Sequence, residues 1–126
     1  MKTIDLNNSH RRKHFDFIRR MNHPHLSITA NVEITVLLSY SKEKKLPINL
    51  GLVYALARTA NEVPEFRWRI RNTEVVEHSI VHPSFTVTTE VADVISFCTV
   101  DYVPDSRAFI KNAMEISENM RTNPSF

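Results

Sequence analysis

Apolar and polar residues alternate at period two from Leu26 through Ile28, Ala30, Val32 and Ile34, the pattern of a half-buried strand. Upstream, Thr3 to Leu6 reads as a short extended start, and Asn7-Asn8-Ser9 offers side chains that cap helices. His10 to about Arg20 then predicts a helix, with Phe15 and Ile18 as one apolar pair on an otherwise basic surface. Asn22-His23-Pro24 ends it, because proline donates no amide hydrogen and disfavours helical backbone in the residue before it. A second helix is expected from Thr35 to about Lys45. Leu46-Pro47-Ile48 separates it from a third, which opens at Asn49 and stops at Pro64. In that third helix Leu52, Leu56 and Thr59, with Val53, Ala57 and Ala60, predict a broad buried stripe.

Downstream the period shortens again. Strands are expected at Arg67 to Ile70, Glu74 to Glu77, Ser84 to Thr89 and Val94 to Tyr102, with a hairpin turn at Arg71-Asn72-Thr73. Asp105 is placed to cap a last helix whose Phe109, Ala113, Ile116 and Met120 fall on one face. Mixed helix and strand with antiparallel hairpins predicts an α/β or α+β fold: a two-layer sandwich of a mixed sheet with helices on one face.

Composition narrows the function more than the fold. The 126 residues, 14.6 kDa, fit one domain over residues 1–126, and no repeat or Pro/Gly/Ser linker divides them. With 16 Lys and Arg against 14 Asp and Glu the net charge is +2, too near neutral to imply nucleic acid or an anionic membrane. No apolar run approaches the roughly 20 residues of a membrane helix, and the first residues do not lead into a signal peptide. A lone Cys98 allows no internal disulfide, so a cytoplasmic location is expected. Glycine occurs once, at Gly51, where average usage gives roughly nine. One glycine cannot build a Walker loop, a dinucleotide fingerprint or a nucleophile elbow, which argues against nucleotide hydrolysis and Rossmann redox chemistry.

The remaining candidates each have a plain structural alternative. His10 and His14 at i, i+4, with His23 and His25 nearby, raise metal binding, but no Cys or carboxylate sits at ligand spacing, so no metal is expected. Arg11, Arg12, Lys13, Arg19 and Arg20 are read as a solvated basic face rather than a phosphate grip. Cys98, inside an apolar strand, is read as a buried inert thiol, and Trp68 and the phenylalanines as mostly core. Spacing alone yields no catalytic constellation.

Longer blocks carry more. Arg11-Arg12-Lys13-His14-Phe15-Asp16-Phe17, then Leu26-Ser27-Ile28-Thr29 and Val32-Glu33-Ile34-Thr35, resemble the start of the chloramphenicol acetyltransferase family. Ala55-Leu56-Ala57-Arg58 with Asn61-Glu62-Val63-Pro64-Glu65-Phe66-Arg67, and Ser79-Ile80-Val81-His82-Pro83-Ser84-Phe85-Thr86-Val87, continue the resemblance in the same order. It covers about Arg11 to Ser96 well, and the rest only in its helix pattern.

The resemblance implies acetyl-CoA as co-substrate, a small-molecule hydroxyl acceptor, and a homotrimer with active sites between subunits. It also implies a catalytic histidine, the second of a His-His-x-x-x-Asp-Gly motif, which takes the proton from the acceptor hydroxyl. These 126 residues contain neither adjacent histidines nor Asp-Gly. They match a little over half of a family member, so a truncated form, inactive alone, is expected. Arg11 matches the arginine that pairs with the motif's aspartate and keeps the site in shape. Phe17, Ile18, Pro24, Leu26, Ser84, Thr86 and Ile95 match positions around the antibiotic, with plain core packing as the alternative for each. Aliphatic residues at Ile18, Leu26 and Ile95 put chloramphenicol itself in question as the acceptor.

Overall fold

A computed structural model describes residues 1–91 and 93–124. The expected mixture of helix and strand is present: four α-helices and two antiparallel sheets among the described residues. The chain forms two compact units, residues 1–33 with 68–79, and residues 34–67 with 80–126.

In the first unit, β1 (Lys2–Ile4), β2 (Trp68–Arg71) and β3 (Glu74–Glu77) form an antiparallel sheet in the order β1-β3-β2. The hairpin turn falls where it was predicted. Arg71 pairs with Glu74, and Asn72 takes the left-handed conformation with φ 54°, which asparagine tolerates better than most residues. Val75 and Val76 of the central strand are buried, as is Leu6 after β1.

The first helix, α1, is shorter than its periodicity suggests: Arg12–Ile18 rather than His10 to Arg20. The Ser9 hydroxyl accepts from the Arg11 amide at 3.2 Å, and the Arg12 amide donates to the Ser9 carbonyl at 3.0 Å. These bonds hold residues 9–11 in a turn, so His10 lies outside the helix and does not share a face with His14. At the other end Arg20 and Met21 bond three residues back, to Phe17 and Ile18, tightening the chain ahead of Pro24.

The strand expected over Leu26 to Ile34 is not formed. Residues 24–34 are neither helix nor strand, and none of the backbone hydrogen bonds described involves residues 22–32. A period-two pattern makes a strand only when another strand completes its ladder, and none of the described strands does so.

In the second unit, α2 (Thr35–Lys44) ends at Lys45, whose φ of 53° is left-handed, with the Leu46 amide reaching back to the Ser41 carbonyl at 2.8 Å. The third helix, α3 (Ile48–Glu62), opens one residue before its expected start, behind Pro47. Its buried face is Leu50, Gly51 and Ala57, whereas Leu56 is exposed, so the broad stripe was rotated in expectation. A Cβ on Gly51 would lie 3.3 Å from Leu37 Cδ1, which places the one glycine where α3 packs against α2. A 3-10 turn, Pro64–Arg67, follows and takes Arg67 out of the strand predicted to begin there.

Strands β4 (Ser84–Thr88) and β5 (Ile95–Thr99) pair antiparallel, and α4 (Ser106–Thr122) packs on one face of them. The face of α4 is as predicted: Phe109 and Ala113 are buried in one cluster with Leu50, Cys98, Val100 and Ile110, and Ile116 and Met120 pack against it. The Asp105 carboxylate accepts from the Ala108 amide at 2.7 Å, the cap foreseen. Asp105→Ala should cost about 1 kcal/mol, read as a lower midpoint in urea unfolding.

Candidate functional site

The sites named from sequence divide between the two units. Alternation along β4 and β5 sends Phe85, Val87, Ser96 and Cys98 to the core, and leaves Ser84, Thr86, Thr88, Ile95, Phe97 and Thr99 exposed on the other face. Register brings them together: Thr86 lies opposite Phe97, Thr88 opposite Ile95, and Ser84 opposite Thr99. The Thr99 hydroxyl donates to Ser84 Oγ at 3.1 Å. Ser84, Thr86 and Ile95 therefore share one surface of hydroxyls and apolar side chains. Phe97, 67% exposed at its centre, is a residue the sequence reading missed. The signal was available, since a residue two positions from Ile95 on one strand must share its face.

Two of the blocks that carried the resemblance meet behind this hairpin. The Asn61 carboxamide donates through Nδ2 to the Val81 carbonyl at 2.8 Å and accepts at Oδ1 from the Val81 amide at 2.9 Å. Nδ2 also donates to the Ala57 carbonyl at 2.8 Å, and Arg67 donates to the Asn61 carbonyl. One side chain thus satisfies both polar groups of a backbone unit that no strand pairs, and pins residue 81 to the end of α3. The next residue, His82, accepts from the Tyr102 amide at Nδ1, 2.9 Å away, with Asp101 Oδ1 at 3.6 Å. An Nδ1 that accepts carries no proton, so the neutral ring bears its hydrogen on Nε2.

In the first unit, Arg11 borders an apolar pocket of about 360 Å³ lined also by Leu6, His14, Phe15, Trp68 and Val75. Its guanidinium stands 6.0 Å from the Trp68 ring centroid, the outer limit of a cation–π contact. The Trp68 indole N–H is buried without an acceptor among the described residues, an arrangement that costs about 1–3 kcal/mol. Phe17 and Ile18, at the end of α1, and Pro24 and Leu26 beyond it are all exposed, with Phe17 at 66%. All seven positions matched to the antibiotic's surroundings are thus exposed in this chain. None of the seven belongs to the buried core of the described residues.

Cys98 is fully buried, and burial pushes its thiol above the ordinary 9.0. At pH 8 its labelling by a disulfide reagent should be on the order of a thousandfold slower in the folded chain than in urea. A raised thiol favours the folded state while protonated. That contribution should fall away as pH climbs past 9.0, where the unfolded thiol ionises first. Among the described residues no three His, Cys, Asp or Glu come close enough to hold a metal ion, and no helix is long and apolar enough to cross a membrane.

Known proteins place this geometry. The family described as "CAT: Chloramphenicol acetyltransferase" matches residues 1–126. A chloramphenicol acetyltransferase of Escherichia coli is 31% identical over 108 residues, covering 86% of this chain and 49% of its own length. One from Bacillus pumilus is 37% identical over 86 residues, 68% of this chain and 39% of its own. A solved structure of a chloramphenicol acetyltransferase superposes with a TM-score of 0.82 at 30% identity, over 91% of this chain and 54% of that one. The chain spans about half the length of the curated relatives it matches. With the match running from the first residue to the last, the chain belongs to the chloramphenicol acetyltransferase family.

Proposed function

We propose that residues 1–126 are the N-terminal portion, one domain's share, of an acetyl-CoA-dependent O-acetyltransferase, and that this chain alone transfers no acetyl group. The observation that carries the reading is the family match over the whole chain, combined with a sequence that holds no adjacent histidines and no Asp-Gly. In the complete enzyme a histidine base takes the proton of the acceptor hydroxyl as that oxygen attacks the thioester carbonyl. CoA then leaves from the tetrahedral intermediate.

This chain's part is the acceptor wall: Phe17, Ile18, Pro24, Leu26, Ser84, Thr86 and Ile95 contact a small hydroxylated molecule, chloramphenicol or a relative of it. Arg11 supports the shape of the site through a carboxylate these 126 residues do not supply. The assembly is a homotrimer or a pairing with a complementary C-terminal chain, in the cytoplasm where acetyl-CoA is available. A second reading, a non-catalytic binding and assembly module, draws on the exposed apolar surface at Ile95 and Phe97.

Removing a general base and an oxyanion donor together costs on the order of 10⁴-fold or more in rate. A thiol-release assay with acetyl-CoA and chloramphenicol, on protein of verified intact mass, should therefore show no turnover above buffer. Turnover should appear when the complementary C-terminal portion of a relative is added. Activity from the 126-residue chain alone would overturn the reading and turn attention to His82 and His14 as bases. Silence after complementation would favour the assembly module.

A further inference from the structure

The hairpin of β4 and β5 runs on past the ends of its strands, and there a side chain stands in for a backbone group. Ser84 pairs with Thr99, so the same register sets Pro83 against Val100 and Val81 against Tyr102. The Val100 amide does donate to the Pro83 carbonyl, at 3.2 Å. At the next hydrogen-bonding position the ladder would send the Tyr102 amide to the Val81 carbonyl, but Asn61 already engages the carbonyl and the amide of Val81, at 2.8 and 2.9 Å. His82 Nδ1 takes the place of that carbonyl and accepts from the Tyr102 amide at 2.9 Å. A carbonyl accepts at every pH, whereas an imidazole nitrogen accepts only while it carries no proton. The other neighbour of the same nitrogen favours the opposite state: Asp101 Oδ1, 3.6 Å away, attracts a proton to it.

We infer that His82 is a proton-operated latch at the base of this hairpin: neutral, it holds the Tyr102 amide; protonated, it turns its new Nδ1–H to Asp101 and lets the amide go. The His82 side chain is 37% exposed, so protons reach it, and that of Asp101 is 85% exposed, with room to follow the ring. Tyr102 is buried, its ring centroid 6.3 Å from that of Tyr54 and 6.5 Å from that of Phe109. An amide released there must find another partner, which draws residues 100–102 away from 81–83 and loosens the start of β4, where Ser84 and Thr86 stand. Charged groups on the neighbouring elements have partners of their own: Arg58 and Glu62 pair at 2.8 Å on α3, and Asp105 accepts from the Ala108 amide at 2.7 Å where α4 opens. The Tyr102 phenol, raised by burial above its ordinary 10.0, stays protonated throughout the range in which imidazoles titrate. The latch is therefore closed at about pH 8 and opens as the pH falls towards about 5.

The test is nuclear magnetic resonance on the isotope-labelled 126-residue chain between about pH 8 and about pH 5. Protection of each amide is its exchange rate set against the unstructured rate at the same pH, and the nitrogen shifts of the His82 ring report whether Nδ1 carries a proton. Protection of the Tyr102 amide should fall by about tenfold or more as Nδ1 takes up its proton, while Phe109 and Ile110 in α4 stay within about twofold. His82→Asn puts an oxygen that accepts at every pH where Nδ1 stands, so it should keep the protection and remove its pH dependence. Asp101→Asn takes away the carboxylate that favours the proton and should move the fall to lower pH. Constant protection of Tyr102 over the range, a fall shared with Phe109 and Ile110, or a fall unmoved by Asp101→Asn would each overturn the latch. An equal fall in His82→Asn would do the same; if that variant does not fold, the exposed Asp101→Asn variant decides alone.

Discussion

Phe109→Ala is expected to destabilise the chain by about 3–5 kcal/mol, the largest effect of any single replacement proposed for it. Phe109 is fully buried where α4 meets β5 and α3, in the cluster with Leu50, Cys98, Val100 and Ala113. Its ring centroid lies 5.5 Å from that of Tyr54 and 6.5 Å from that of Tyr102, both tilted, a geometry in which aromatic rings attract beyond their buried area. Truncation removes the ring, leaves a cavity that α4 cannot close, and loosens Tyr54, whose hydroxyl donates to the Pro104 carbonyl at 2.5 Å. Against a typical total stability of about 5–15 kcal/mol, the variant should sit near its unfolding midpoint in little or no denaturant. Phe109→Leu keeps most of the volume and should cost far less, under about 2 kcal/mol. Urea unfolding of the three proteins measures this, and a loss below 1 kcal/mol for the alanine variant would mean that the cluster is not the core of this unit.

Asn61→Asp should cost about 2–4 kcal/mol, although it changes a single atom. The native carboxamide donates to the Val81 and Ala57 carbonyls and accepts from the Val81 amide. An aspartate keeps the acceptor and turns the donor into an anionic oxygen facing two carbonyl oxygens. Asn61→Ala loses all three bonds without adding repulsion, so it should fall between the native protein and the aspartate variant. The damage should concentrate at residues 80–83, which lead into β4 and so set where Ser84 and Thr86 stand. Exchange rates of the Val81 and His82 amides, with urea midpoints, check both the size and the place. An aspartate variant as stable as the native chain at neutral pH would show that the Asn61 clamp is incidental.

These two residues also mark how differently parts of the chain could be read. Phe109 was legible, because an amphipathic helix announces its buried face through its own spacing. Asn61 was legible as a member of a family block, but its role was not. Nothing local says that its amide bonds a backbone twenty positions away. The candidate site was half legible for the same reason. Strand alternation put Ser84 with Thr86 on one face of β4 and Ile95 with Phe97 on one face of β5, yet only the pairing of β4 with β5 joins the two groups in one surface.

What the sequence determined by itself lies within reach of a few residues: the turn at Asn72, the cap at Asp105, the in-and-out alternation of β4 and β5, and the face of α4. Each depends on short-range sterics, local hydrogen bonds or side-chain period. Tertiary structure decided the rest. It rotated the buried face of α3 toward Leu50, Gly51 and Ala57, since the face a helix buries depends on what packs against it. Leu26 to Ile34 stayed out of any sheet, although its pattern is as regular as that of β5. A strand is a property of two segments, and a sequence carries the preference of only one.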